Sequence, residues 1–232
     1  MSQTKLRCGA GAWLVWALLL APQAASAESP LCQLGRSQSP IDIVAPVRQQ
    51  LATLDFRYRA APLKIANDGH TARVRIDKGS TLVIGNQVYT LQQFHFHTPG
   101  GDRIGGEEFA MAAHLLHKST SGQLLALVVL FRQGAEHPAL AALWPRIPSR
   151  VDGDHKVAGA MADASELLPA SHAYYRFEGS LTASPCSEGV SWIVMKQPLT
   201  VSVEQLGYWR TRFADNIRPP QSLHGRVVQE SG

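Results

Sequence analysis

Residues 91–117 read LQQFHFHTPGGDRIGGEEFAMAAHLLH, and both the fold and the chemistry turn on them. Along a β-strand, successive side chains point to opposite faces. His95 and His97 therefore share one face, and Phe94 and Phe96 share the other. The phenylalanines suit a buried face. Two adjacent imidazoles on the opposite face call for protons, polar partners or a metal. Catalytic zinc typically takes three protein ligands and keeps a fourth position open. His114, arriving on a neighbouring segment, is the candidate third ligand. The plainer alternative is that a His-x-His pair merely fills a solvated strand face.

Working outward, the chain punctuates itself as short strands. Thr71 to Asp77 alternates cleanly, and Ser80 to Ile84 and Gln87 to Leu91 flank Gly85-Asn86, a hairpin signal. Gln123 to Phe131 is apolar nearly throughout, as expected of a strand covered on both faces. Val190 to Lys196 is another strand. Phe109 to His117 has a composition that also suits a helix, but its short length and flanking glycines favour a strand. Helical signals are confined to Ala139–Trp144 and to Val203–Phe213 behind a Ser202 cap. The expectation is one mostly β domain, with short helices on its surface.

Met1 to Ala27 reads as a secretory signal peptide: Lys5 and Arg7, then the apolar run Ala10 to Ala21, then Ala25-Ser26-Ala27 as a small-x-small cleavage site. The apolar run is short of the roughly 20 residues that a membrane span needs. Residues 28–232 remain as the domain, long enough to bury a core. The formal charge of +4 falls to about +2 without Lys5 and Arg7. The arginines are scattered, so there is no nucleic-acid footprint. After cleavage only Cys32 and Cys186 are left, and in an exported protein two cysteines most simply form one disulfide.

The motifs Gln38-Ser39-Pro40-Ile41-Asp42-Ile43, Asn67-Asp68-Gly69-His70, Gln93 to His97 and Ala113 to His117 occur in one order. They continue with Tyr175 to Thr182, Cys186 to Trp192, Asn216-Ile217-Arg218-Pro219 and Gly225-Arg226. Together they resemble the exported bacterial α-class carbonic anhydrases over nearly the whole chain from Cys32 to about Val228. The resemblance implies a large, twisted, mainly antiparallel sheet with a metal at the base of a cleft. It makes His95, His97 and His114 the ligands of Zn2+, with Gln93 orienting His95. Zinc-bound hydroxide would attack CO2, giving bicarbonate and a proton. Thr182 would accept a hydrogen bond from the hydroxide. His70 would carry the proton to solvent, a role suited to imidazole. Leu116, Ala126, Leu181, Val190 and Trp192 would line the CO2 pocket, although ordinary core packing is the competing reading for all five. Cys32 and Cys186 match the family disulfide, and the peptide bonds before Pro40 and Pro185 would be cis.

Three positions depart from the pattern. The family glutamate four residues after the second zinc histidine, which accepts the threonine hydroxyl proton, is Gly101. The glutamate two residues before the third zinc histidine is Ala112. The stretch before Cys32 is short, which leaves one wall of the cleft more open. The leading expectation is a periplasmic or secreted zinc lyase acting on CO2 and bicarbonate, with no nucleic-acid partner and no membrane attachment after cleavage. No signal for an oligomeric state appears. The alternative is a carbonic anhydrase-like zinc-binding or interaction protein with weakened catalysis. An esterase-like hydrolase using the same hydroxide would need a wider cleft.

Overall fold

The computed structural model describes residues 29–77 and 79–232; the expected signal peptide lies outside them. Among the described residues, thirteen strands form one mixed sheet. Its main path runs through Asp152–Ala162, Ala61–Asn67, Ala72–Arg75, Gln87–His97, Met111–Ser119, Leu124–Gln133, Glu188–Met195, Tyr174–Ser180, Gln229–Glu230 and Val47–Arg48. Neighbours on this path are antiparallel except for Leu124–Gln133 beside Glu188–Met195 and for the last pair. The mainly antiparallel, mostly β expectation holds.

Strand alternation divides the core in two. Phe94, Phe96, Leu115, Leu125 and Leu127 point to one face, where they pack with Leu140, Trp144, Leu206, Trp209 and Phe213. Those last five belong to, or follow, the short helices Pro138–Leu143 and Val203–Arg210. The other face carries Ala112, Ala126, Val128, Val190, Trp192 and Val194, packed with Ile41, Ile43 and Phe109. Burial of apolar side chains on both faces, worth ~25 cal/mol per Å2 of apolar area, favours this register. A slip of one residue would exchange the two sets and put both histidines into the Phe96 core.

Local chemistry sets the ends of the elements. Ser202 accepts from the Gln205 backbone N–H while the Gln205 side chain accepts from Ser202 N–H, a complete capping box. The helix ends at Arg210, short of the expected Phe213, though Phe213 N–H still bonds the Trp209 carbonyl. The helix expected over Ala139–Trp144 spans Pro138–Leu143 and tightens into a 3-10 turn over Trp144–Arg146, where Pro145 has no N–H to continue the α-helical ladder. Residues 111–119 are a strand, as their flanking glycines indicated. Cys32 and Cys186 are bonded, with Cα atoms 5.0 Å apart. The Ser39–Pro40 and Ser184–Pro185 bonds are cis, as is Thr98–Pro99.

Candidate metal centre

The triad is built by strand pairing. Gln87–His97 and Met111–Ser119 are antiparallel neighbours, and their register sets His95 directly opposite His114. Such pairs bring Cβ atoms to ~5 Å. His97 follows two residues later on the same face, opposite Ala112. One nitrogen from each of the three rings lies within 4.8 Å of the others, a group able to hold a metal ion.

Hydrogen bonding fixes which nitrogens are free. His95 Nδ1 lies 2.9 Å from Gln93 Oε1, and His97 Nδ1 lies 3.1 Å from the Asn216 carbonyl. Both oxygens only accept, so each Nδ1 donates and each Nε2 is left with a bare lone pair. Those two Nε2 atoms stand 3.0 Å apart. Two lone pairs facing each other at that distance repel unless a cation lies against both. His114 is arranged the other way: its Nε2 is buried without a partner, which leaves Nδ1 for the group. Burial, then His97 and Arg73, holds the His95 imidazolium well below the ordinary range. Burial pushes His97 down to about 4. His114 is lowered by burial and by its two neighbours. Three neutral imidazoles with converging lone pairs fit a divalent metal such as zinc.

The triad sits in a cavity of about 420 Å3 with a divided lining. Leu116, Ala126, Leu181, Val190 and Trp192, all expected at an apolar pocket, line one side. Trp192 stands edge-on to His114, with ring centroids 5.3 Å apart. Asp68, His70, Arg73, Gln93 and Asn216 line the polar side, and His70 is exposed. Thr182 also borders the cavity. Its loop is anchored two residues earlier, where Ser180 and Ser39 exchange hydrogen bonds and Trp192 Nε1 donates to the Ser180 carbonyl. Gly179 permits this approach, because a Cβ there would lie 2.1 Å from Ser39 Oγ.

The departures have a structural form. Gly101 adopts φ +84°, and a Cβ on it would meet Ile217 Cγ1 at 2.7 Å. A side chain at this position therefore requires both an unfavourable backbone and a shift of Ile217. The neighbouring Asp102 does not take over. Its Oδ1 accepts from Ile41 N–H, its Oδ2 is buried without a partner, and no carboxylate among the described residues hydrogen-bonds the Thr182 hydroxyl. Ala112 is fully buried in the apolar cluster, so nothing there accepts from His114 Nε2.

Burial pushes the Asp102 carboxyl up to about 7 from its ordinary 3.8, the Ile41 N–H offsetting only part of this. A carboxyl whose folded pKa lies above its unfolded value favours the fold at low pH. That contribution is lost progressively as pH rises from about 4 through 7. Asp102→Asn keeps an acceptor for Ile41 N–H and removes the titration. The stability difference between variant and parent should move in the variant's favour by up to about 4 kcal/mol between pH 4 and 8. Urea unfolding across that range checks it, and a difference that stays flat contradicts it.

Sequence reasoning did not single out three residues. Asn216 ties the site together: its carbonyl accepts from His97, its Oδ1 accepts from Thr98 N–H, and its Nδ2 donates to the His70 and Phe96 carbonyls. Ser180 anchors the Thr182 loop. Arg73 stands opposite His95 on the adjacent strand. The signal available for Arg73 was its place two residues along an alternating strand from the Gly69-His70-Thr71 turn.

A family model described as eukaryotic-type carbonic anhydrase matches residues 21–232. A carbonic anhydrase from Klebsiella pneumoniae is 42% identical over 206 residues, covering 88% of this chain and 83% of the relative. One from Pectobacterium carotovorum is 40% identical over 204 residues, with the same two coverages. Among solved structures, the α-carbonic anhydrase of Thermovibrio ammonificans, in complex with the inhibitor sulfanilamide, superposes with a TM-score of 0.82 at 37% identity. The match covers 86% of this chain and 89% of that one.

Proposed function

Because the chain belongs to the eukaryotic-type, or α, carbonic anhydrase family, we propose that it hydrates CO2 reversibly to bicarbonate and a proton, with zinc held by His95, His97 and His114. The observation that carries this reading is the convergence of three neutral imidazole nitrogens within 4.8 Å, in a cavity apolar on one side and polar on the other. Zinc, when bound, supplies a nucleophile made from water at neutral pH. The chain's own residues do the rest. Leu116, Ala126, Leu181, Val190 and Trp192 present an apolar wall to neutral CO2. The Thr182 hydroxyl orients the reacting oxygen, and His70 at the mouth passes the released proton to solvent. Gln93 and the Asn216 carbonyl hold His95 and His97 in the tautomers that aim their lone pairs inward.

Residues 1–27 act as a signal peptide and residues 28–232 as the domain, delivered to the periplasm or outside the cell. The Cys32–Cys186 bond supports an oxidising destination. Among the described residues no helix is long and apolar enough to cross a membrane.

A second reading has its own support. The unpartnered His114 Nε2, and a Thr182 hydroxyl that no carboxylate among the described residues hydrogen-bonds, favour a zinc-binding member with weakened catalysis. Oxygen-18 exchange between CO2 and water, followed by mass spectrometry on the zinc-loaded protein, separates the two. Exchange well above buffer supports the enzyme, and buffer-level exchange with zinc retained supports the binding protein.

A further inference from the structure

Arg73 lies on the strand Ala72–Arg75, directly opposite His95, and lines the polar side of the metal cavity. A guanidinium carries five N–H donors in a planar fork. None of those of Arg73 makes a hydrogen bond among the described residues, and its Nε is buried without a partner. Its two carboxylate neighbours form long ion pairs with it but lie beyond hydrogen-bond distance: Asp68 Oδ2 is 3.7 Å from Nη1, and Asp154 Oδ1 is 3.9 Å from Nη2. Both carboxylates are otherwise engaged. Asp68 Oδ1 accepts from the His70 and Thr71 backbone, and Asp154 Oδ2 pairs with Arg75 Nε at 2.7 Å. Arg73 thus sits in two long ion pairs with its hydrogen-bond donors unfilled, one strand away from a metal ligand. About a third of its side chain is exposed, so solvent reaches it.

The reaction in the preceding section, on which this inference rests, has one neutral and one anionic carbon species. CO2 gains nothing from a guanidinium. Bicarbonate is planar with two adjacent oxygens, the geometry that the Arg fork matches in pairs. We propose that Arg73 forms an oxyanion subsite on the polar wall of the cavity, which binds bicarbonate as it enters or leaves. The anion supplies the acceptors that the guanidinium lacks, and its charge is screened less there than in bulk water.

The subsite does not need the metal, so it can be tested apart from catalysis. In the metal-free protein, titration with sodium bicarbonate should shift the Arg73 Nε–Hε NMR resonance saturably. Arg73→Gln removes the resonance, and the backbone amides of residues 72–75 should then stop responding. A response that sodium chloride reproduces at equal ionic strength reflects screening alone and overturns the inference, as does a response that never saturates. In the zinc-loaded protein, the constant for bicarbonate inhibition of CO2 hydration should rise about 5- to 10-fold in Arg73→Gln and recover partly in Arg73→Lys. An unchanged constant also overturns it. A saturable Arg73 response in a protein that fails to hydrate CO2 would leave the subsite standing and refute the catalytic reading.

Discussion

Alanine in place of His97 should leave the purified protein almost free of zinc, with CO2 hydration reduced on the order of a thousandfold or more, to the buffer rate. His97 is central to the group: its Nε2 is 3.0 Å from that of His95, and its ring centroid is 4.4 Å from that of His114. Two imidazoles do not close a zinc site, and no carboxylate stands among the described metal-ligating residues to replace the third. The loss should be chemical and not structural, because His97 faces the cavity while Phe96 holds the strand on the core side. The Asn216 carbonyl does lose its donor, but the side-chain bonds of Asn216 to Thr98, His70 and Phe96 and its N–H bond to the Thr98 carbonyl remain. Metal analysis and hydration rates, alongside an unfolding curve, check this. A variant that keeps stoichiometric zinc would show that the ligands lie elsewhere.

Glutamate at Ala112 should raise zinc affinity roughly 10- to 100-fold, the range over which a carboxylate behind a ligating histidine acts. Ala112 and His114 sit two residues apart on one strand and so share a face, and His114 Nε2 is a buried donor with no acceptor. A carboxylate here would fix the tautomer that leaves Nδ1 for the metal. The same substitution forces a larger, charged side chain among Ile41, Ile43, Phe109, Val128 and Leu130. The metal-free fold should therefore lose on the order of 1–3 kcal/mol from overpacking, and more from desolvation. Zinc affinity and metal-free stability should move in opposite directions. Competition with a chelator measures the first and urea unfolding the second. Equal zinc affinity in the two proteins would mean that His114 does not ligate through Nδ1. The matching experiment at Gly101 is not available, since Ile217 occupies the space and the backbone is left-handed.

Much of this was legible in residues 91–117. Period-two alternation put His95 with His97 and Phe94 with Phe96, and a single pairing register then brought His114 opposite His95. The Gly85-Asn86 turn read correctly because Ile84 pairs with Gln87 across a two-residue loop. The strand Asp152–Ala162 was not legible. Its DGDHKVAGAMA is charged in its first half, small and apolar in its second and glycine-bearing throughout, and it is held by main-chain pairing with Ala61–Asn67 through two register shifts, not by a buried face. Asn216 was hidden for a related reason: the atom that holds His97 is a backbone carbonyl, on which side-chain chemistry is silent. Asp102 stands beside the position of the missing glutamate. Sequence proximity could not reveal that its carboxyl turns to Ile41 N–H.

Stopped-flow CO2 hydration reads zinc-dependent catalysis at the triad without intermediary. The protein, without residues 1–27, would be measured zinc-loaded, then after chelation, then after zinc is restored. The expected result is a rate well above buffer that disappears with the metal and returns with it. A buffer-level rate from protein that demonstrably holds stoichiometric zinc would contradict it, and would mean that the losses at Gly101 and Ala112 have ended catalysis at an intact triad.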